Sequence, residues 1–191
     1  MIRDLVFKNR SIRRFNENAK VSLDALKDLV DLARITPSAR NMQPLKYIIS
    51  TDSETNSIIF STLGWAGYLK DWDGPVPGER PSAYIIILGD RNITDHYWCD
   101  HGIAAQTILL GAAEKVLGGC MIGTVDRESL HRELEISKEY DVLLILALGE
   151  PAEQVVLEEN EIKGDIKYWR DEQGVHHVPK RPLEEIILKI Y

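Results

Sequence analysis

Apolar residues recur at Leu23, Leu26, Val30 and Ala33, with Ser22 placed to cap and Asp24 in the first turn, so residues 23–34 are predicted to form a helix buried along one face. Pro37 stops it. Ala83–Leu88 and Val142–Leu148 are apolar without alternation, the pattern of strands covered on both faces. Leu45–Ser50 reads as a further strand and Ser53–Leu63 as a helix; Asp126 should cap a helix reaching about Leu134. Residues 2–8 suit a short helix, and Pro182 should open another over 183–190. From Asp100 to Leu117 the chain carries little charge and its apolar residues surround the helix axis, so this helix must be buried on most faces. Its small residues would let a core strand or a symmetry mate approach closely. Gly118-Gly119 is expected to end it, with Cys120–Gly123 following as a short apolar segment.

Two stretches break the pattern. Residues 64–81 hold Trp65, Tyr68 and Trp72 among glycines and prolines, a loop too long and too aromatic for a simple connector. The three rings suit either a wall over a flat ligand or a satellite core under the loop. Residues 152–181 are charged and aperiodic yet carry Tyr168, Trp169 and the pair His176-His177, expected in a solvated hairpin of an arm whose aromatics need a partner surface.

Composition narrows the function. The 191 residues suit one domain spanning 1–191. A net charge of -7 argues against general nucleic-acid binding. No apolar run is long enough to cross a bilayer and the N-terminus is charged from Arg3, so a cytoplasmic protein is expected. Cys99 and Cys120 form no metal or disulfide pattern and are expected as buried thiols; no metal site is expected.

Within this acidic chain, Asn9-Arg10-Ser11-Ile12-Arg13-Arg14-Phe15 concentrates three guanidinium groups, which would suit a phosphate or, equally, a solvated helix end. Between two prolines, Pro37-Ser38-Ala39-Arg40-Asn41-Met42-Gln43-Pro44 should be held extended and kinked. It offers uncharged hydroxyl and amide groups at Ser38, Asn41 and Gln43, able to meet the edge of a neutral heteroaromatic ring or to serve an ordinary polar loop. There is no GxGxxG and no P-loop motif.

The segments NRSIRRF at 9–15, PSARNMQP at 37–44, GGCMIG at 118–123 and PKRPLEEII at 179–187, in this order and spacing, resemble the nitroreductase family of FMN enzymes. The resemblance implies an α+β fold, a central and mostly antiparallel sheet surrounded by helices, in an intertwined homodimer with two noncovalent FMN sites at its interface. Asn9, Arg10, Ser11 and Arg13 would contact phosphate and ribityl, completed by Lys180 or Arg181. Where many members carry a basic residue this chain has Asn9, which implies that one phosphate contact is either weaker or replaced by Arg10. Pro37, Ser38, Ala39, Asn41 and Gln43 would lie against the isoalloxazine of the partner's site. Met121, Ile122 and Gly123 would bring a backbone N–H to flavin N5, and 152–181 would be the arm around the other protomer.

The implied activity is hydride transfer from NAD(P)H through flavin N5 to a small flat acceptor, such as a nitroaromatic or quinone, with Arg13 as electrostatic support and no catalytic acid or nucleophile. Trp65, Tyr68 and Trp72 are the candidate acceptor-site residues. The same scaffold also implies reductive dehalogenation or flavin cleavage as alternatives, and a flavin-binding redox module without turnover is a third.

Overall fold

The computed structural model describes residues 1–191. In chain order the elements are α1 (Ile2–Lys8), α2 (Leu23–Arg34), a 3-10 turn (Ala39–Asn41), β1 (Leu45–Ser50), α3 (Ser53–Ser61), β2 (Ala83–Asp90), α4 (Asp100–Glu114), β3 (Gly118–Ile122), α5 (Arg127–Glu133), β4 (Tyr140–Gly149), β5 (Val155–Glu159), β6 (Trp169–Arg170), β7 (His176–Lys180) and α6 (Leu183–Ile186).

The central sheet is antiparallel throughout, in the order β1-β2-β4-β3. Because side chains alternate across a strand, β2 sends Ala83, Ile85 and Ile87 into one core with α2 and α4, and Tyr84, Ile86 and Leu88 into a second core with Ile59 of α3 and Leu130 of α5. An uninterrupted apolar strand is therefore the central strand of a three-layer sandwich. A register shift between Ile87 and Leu88, which pair with Leu144 and Val142, leaves Leu143 unopposed. This bulge reverses the alternation of β4, so Val142 joins Ile145 and Ala147 on one face.

The N-terminal segment runs along the β3 edge. Ser11 bridges Gly119 in parallel, Ile12 N–H donates to Gly119 O at 3.0 Å, and Phe15, fully buried, bridges Pro151. Gly119 has no room for a side chain: a Cβ there would lie 2.5 Å from Leu109 and 2.8 Å from Leu148.

Several expectations need correction. Helix α4 ends before its glycines: Val116 N–H reaches Ala113 O and Leu117 N–H reaches Ala112 O at 2.8 Å, a Schellman closure with Val116 left-handed at φ 60°. Gly118 and Gly119 open β3 instead. Helix α6 stops at Ile186, four residues early. Cys120 is buried but Cys99 is exposed. Residues 37–44 are extended only as far as Ser38; Ser38 Oγ and Ala39 N–H donate to buried Asp100 at 2.6 and 3.0 Å, which kinks the chain into a turn with Arg40, Asn41 and Gln43 all at positive φ. Such backbone costs roughly 1–3 kcal/mol per residue and persists where the surroundings enforce it.

Residues 152–181 are not aperiodic either. They hold a second sheet, with β5 and β7 parallel and β6 antiparallel to β7. The histidines do sit in a β6–β7 hairpin, but His176 is 1% exposed, and His177 is held between Glu158 and Asp171 and stacked on Trp169.

The chain exposes 11624 Å², whereas a compact monomer of 21.7 kDa should expose about 9200 Å². Exposed apolar side chains include Phe7 of α1, Ile103 of α4, and Leu183 and Ile186 of α6, with Leu188 beyond it.

Candidate functional site

Two adjoining cavities lie where the N-terminal segment, the β3 edge and the second sheet meet. The first, about 380 Å³, is lined by Asn9, Arg10, Ser11, Arg13, Gln106, Leu109, Met121, Val155, Tyr168, His176, Val178 and Lys180. The second, about 240 Å³, adds Trp65, Cys120, Ile122, Gly123 and Thr124 and shares Arg13, Met121 and Tyr168 with the first. Residues 9–13 reach the cavity because they run beside β3; Lys180 reaches it because β7 ends there.

The first cavity is lined by three permanent cations and no carboxylate. Arg10 spans from α1, donating Nη2 to Val6 O, while its buried Nε has no partner. Burial lowers its pKa without threatening its charge. A buried N–H with nothing to bond is costly in water-free surroundings and cheap against an anion.

Arg13 is fixed from three sides. Its backbone N–H and that of Arg14 both donate to Glu153, a fully buried carboxylate whose other oxygen accepts from Arg170 Nη2 at 2.8 Å. Its guanidinium lies 5.0 Å from the Tyr168 ring centre and donates toward Ser11 O at 3.2 Å. Nη1 also stands 3.4 Å from His176 Nε2. Burial first, then the charges of Arg13, Arg170 and His177, push the His176 pKa down to about 4. The neighbouring Arg14 turns away, held by Glu79 through two bonds.

The second cavity is more apolar. Trp65 packs against Phe60 at 5.8 Å and edge-on to Trp72 at 6.4 Å, and its Nε1–H is buried without a partner. The long loop begins tightly here: Gly64 N–H donates to Thr124 O at 2.9 Å, and a Cβ at Gly64 would meet Thr124 Cγ2 at 2.6 Å. Tyr68 packs on Tyr168 at 4.9 Å and stays half exposed. Trp72 lines neither cavity and lies under Arg170, which suits the satellite-core alternative.

Of the residues singled out in the sequence, Asn9, Arg10, Ser11, Arg13, Met121 and Lys180 meet in the first cavity, and Trp65, Ile122 and Gly123 in the second. Arg181 does not; it pairs with Glu185. Pro37, Ser38 and Gln43 line a separate cavity of about 150 Å³ with Asp100 and Tyr47, and Ala39 and Asn41 form the adjacent turn. The sequence reading missed Gln106, Leu109, Val155, Tyr168, His176 and Val178 as lining residues. Tyr168 and His176 carried a signal only as aromatic and titratable side chains in a stretch read as the arm around the other protomer.

Comparison with known proteins bears on the same frame. The model of the nitroreductase family matches residues 6–150. A Bacillus subtilis protein named as an NAD(P)H nitroreductase, YodC, is 22% identical over 79% of this chain and 91% of its own length. Among solved structures, an FMN-dependent nitroreductase of Clostridium difficile superposes with a TM-score of 0.65 at 24% identity, covering 81% of this chain and 89% of that one. A nitroreductase of Exiguobacterium sibiricum, solved in complex with FMN, superposes with a TM-score of 0.67 at 18% identity over 80% and 89%.

Proposed function

The chain belongs to the nitroreductase family, and from that premise we propose that it is an FMN-dependent oxidoreductase that draws on NADH or NADPH and reduces small flat acceptors such as nitroaromatics or quinones. The observation that carries this is the cavity pair: a cleft with Arg10, Arg13 and Lys180 and no carboxylate, opening onto an apolar chamber bordered by Met121–Gly123 and Trp65. A phosphate-bearing flat cofactor has those two halves. The orphaned Arg10 Nε gives the fit a specific point, a fixed donor lacking an acceptor.

Arg10, Ser11 and Lys180 bind the phosphate end in this proposal. Each charge-assisted bond to it is worth roughly 1.5–3 kcal/mol. Arg13, clamped by Glu153, Tyr168 and His176, presents a cation whose position is set before anything binds, which is what stabilises charge at a pyrimidine edge without reorganisation. When bound, FMN supplies the two-electron chemistry itself. The chain's task is to orient and to exclude water: Met121–Gly123 offers backbone along the β3 edge, while Trp65 bounds the space left for an acceptor and Tyr68, outside both cavities, packs behind Tyr168.

Ser38, Ala39, Asn41 and Gln43 do not reach this cleft within one chain, and we assign them to the partner's site in a homodimer. The exposed apolar side chains of α1 and α6, and a surface about 2400 Å² larger than that of a compact monomer, support that assembly. Titrating FMN into the purified protein while following sedimentation tests both parts. Saturable noncovalent binding by a dimer is expected; a monomer that binds FMN overturns the shared site, and failure to bind overturns the function.

A further inference from the structure

A polar cavity of about 410 Å³ that shares no lining residue with the cleft lies between α3 and the entry to β2. Arg80, Ser82 and Tyr84 all line this cavity, Tyr84 from β2 and the other two from the bend that leads into it. Opposite them, Ser53, Asn56, Ser57 and Phe60 fall on one helix face and line the same cavity. A helix and a strand normally meet there through apolar side chains, and here both present polar ones.

Asn56 is already spoken for, accepting from Ser50 Oγ at 2.7 Å and donating to Ser82 O at 2.9 Å. Three other lining groups are not. Arg80 Nε, Ser82 Oγ and the Tyr84 hydroxyl are all buried without a hydrogen-bond partner, and Tyr84 as a whole is 1% exposed. Its ionisation is suppressed, first by burial, with Glu17 adding to this and Arg80 opposing it. The Arg80 guanidinium is seated 4.3 Å over the Phe60 ring, which fixes its direction. Lys20 stands at the rim, and Glu17 is engaged by Gly78 N–H.

We propose that this cavity is a second ligand site, separate from the cleft, which takes a small oxyanion, a carboxylate or phosphate group, on Arg80, Ser82 and Tyr84. Arginine can only donate, and both hydroxyls can turn to donate, so the missing partner is an acceptor with several oxygens. Two cations against one engaged carboxylate leave the rim net positive. The volume suits a small metabolite.

Calorimetric titration of inorganic phosphate and, separately, acetate into protein holding excess FMN tests the site, because FMN occupies the Arg10–Arg13 cleft. Expected is one site per chain for at least one anion, weakened ~10-fold or more in Arg80→Met and measurably in Tyr84→Phe. The anion that binds tells phosphate from carboxylate recognition. If FMN does not bind at all, the cleft stays open equally in every variant, and loss of one site in Arg80→Met still identifies this cavity. Circular dichroism matching the parent confirms that each variant is folded, and Ser82→Ala serves where one is not. Absence of binding for both anions, or equal binding in Arg80→Met, means that the cavity holds only water and overturns the proposal.

Discussion

His176 Nε2 faces Arg13 Nη1 at 3.4 Å, and because a guanidinium can only donate, the imidazole must accept. That makes His176 the neutral tautomer with its proton on Nδ1, an atom buried without a partner. Protonation would set a second cation against Arg13, with Arg170 and His177 already near. The ring therefore works as a neutral prop for the one arginine that both cavities share.

This arrangement has a pH signature. The folded pKa of about 4 lies below the ordinary 6.5, so as pH falls the unfolded chain takes up the proton first. The stability due to neutral His176 is complete above about pH 6.5 and is lost toward pH 4, up to about 3 kcal/mol. His177 acts in the opposite sense: Glu158 and then Asp171 raise its pKa, so its contribution is present at low pH and fades as pH rises through that raised value. Melting curves from pH 4 to 7 should show a steeper acid loss in the parent than in His176→Gln. Parallel curves would mean that neither burial nor the neighbouring cations keep His176 neutral.

The cations of the cleft should separate from their neighbour in sequence. Arg13→Ala and Lys180→Ala are each expected to weaken FMN binding by roughly 1.5–3 kcal/mol, ~10- to 150-fold, if the lost group bonds the cofactor directly. Arg181→Ala, whose side chain pairs with Glu185, should bind almost as the parent does. Fluorescence titration decides it; equal losses at Lys180 and Arg181 would move the phosphate away from the lining described.

How far the sequence carried depends on how local each feature is. The apolar runs at Ala83–Leu88 and Val142–Leu148 announced their burial, and residues 9–13 announced a basic cluster because neighbours in sequence stay neighbours in space. Glu153 could not be seen: it reaches Arg13 across 140 positions and looks like any acid in a charged stretch. Tyr168 and His176 were visible as residue types but not as parts of the cleft, since β5 and β7 pair in parallel through a crossover that periodicity does not reveal. The turn at 39–41 escaped because its cause is Asp100, 61 positions beyond Ala39. Proline bias alone pointed to extended backbone.

Val116 offers a test independent of any ligand. A β-branched residue closes the Schellman motif of α4 at φ 60° while 80% exposed. Glycine adopts that backbone without steric penalty. Val116→Gly should raise stability by roughly 1 kcal/mol in denaturant unfolding. A loss would mean that the valine covers apolar surface once the protein assembles.

In the proposed function the cleft holds a flavin that turns over rather than one that is merely stored. Under anaerobic conditions, NADH or NADPH is added to the FMN-loaded protein, followed by a quinone or a nitroaromatic. The yellow absorbance is expected to be lost with the nicotinamide and to return in proportion to acceptor added. Flavin that stays oxidised in the presence of both nicotinamides would contradict it.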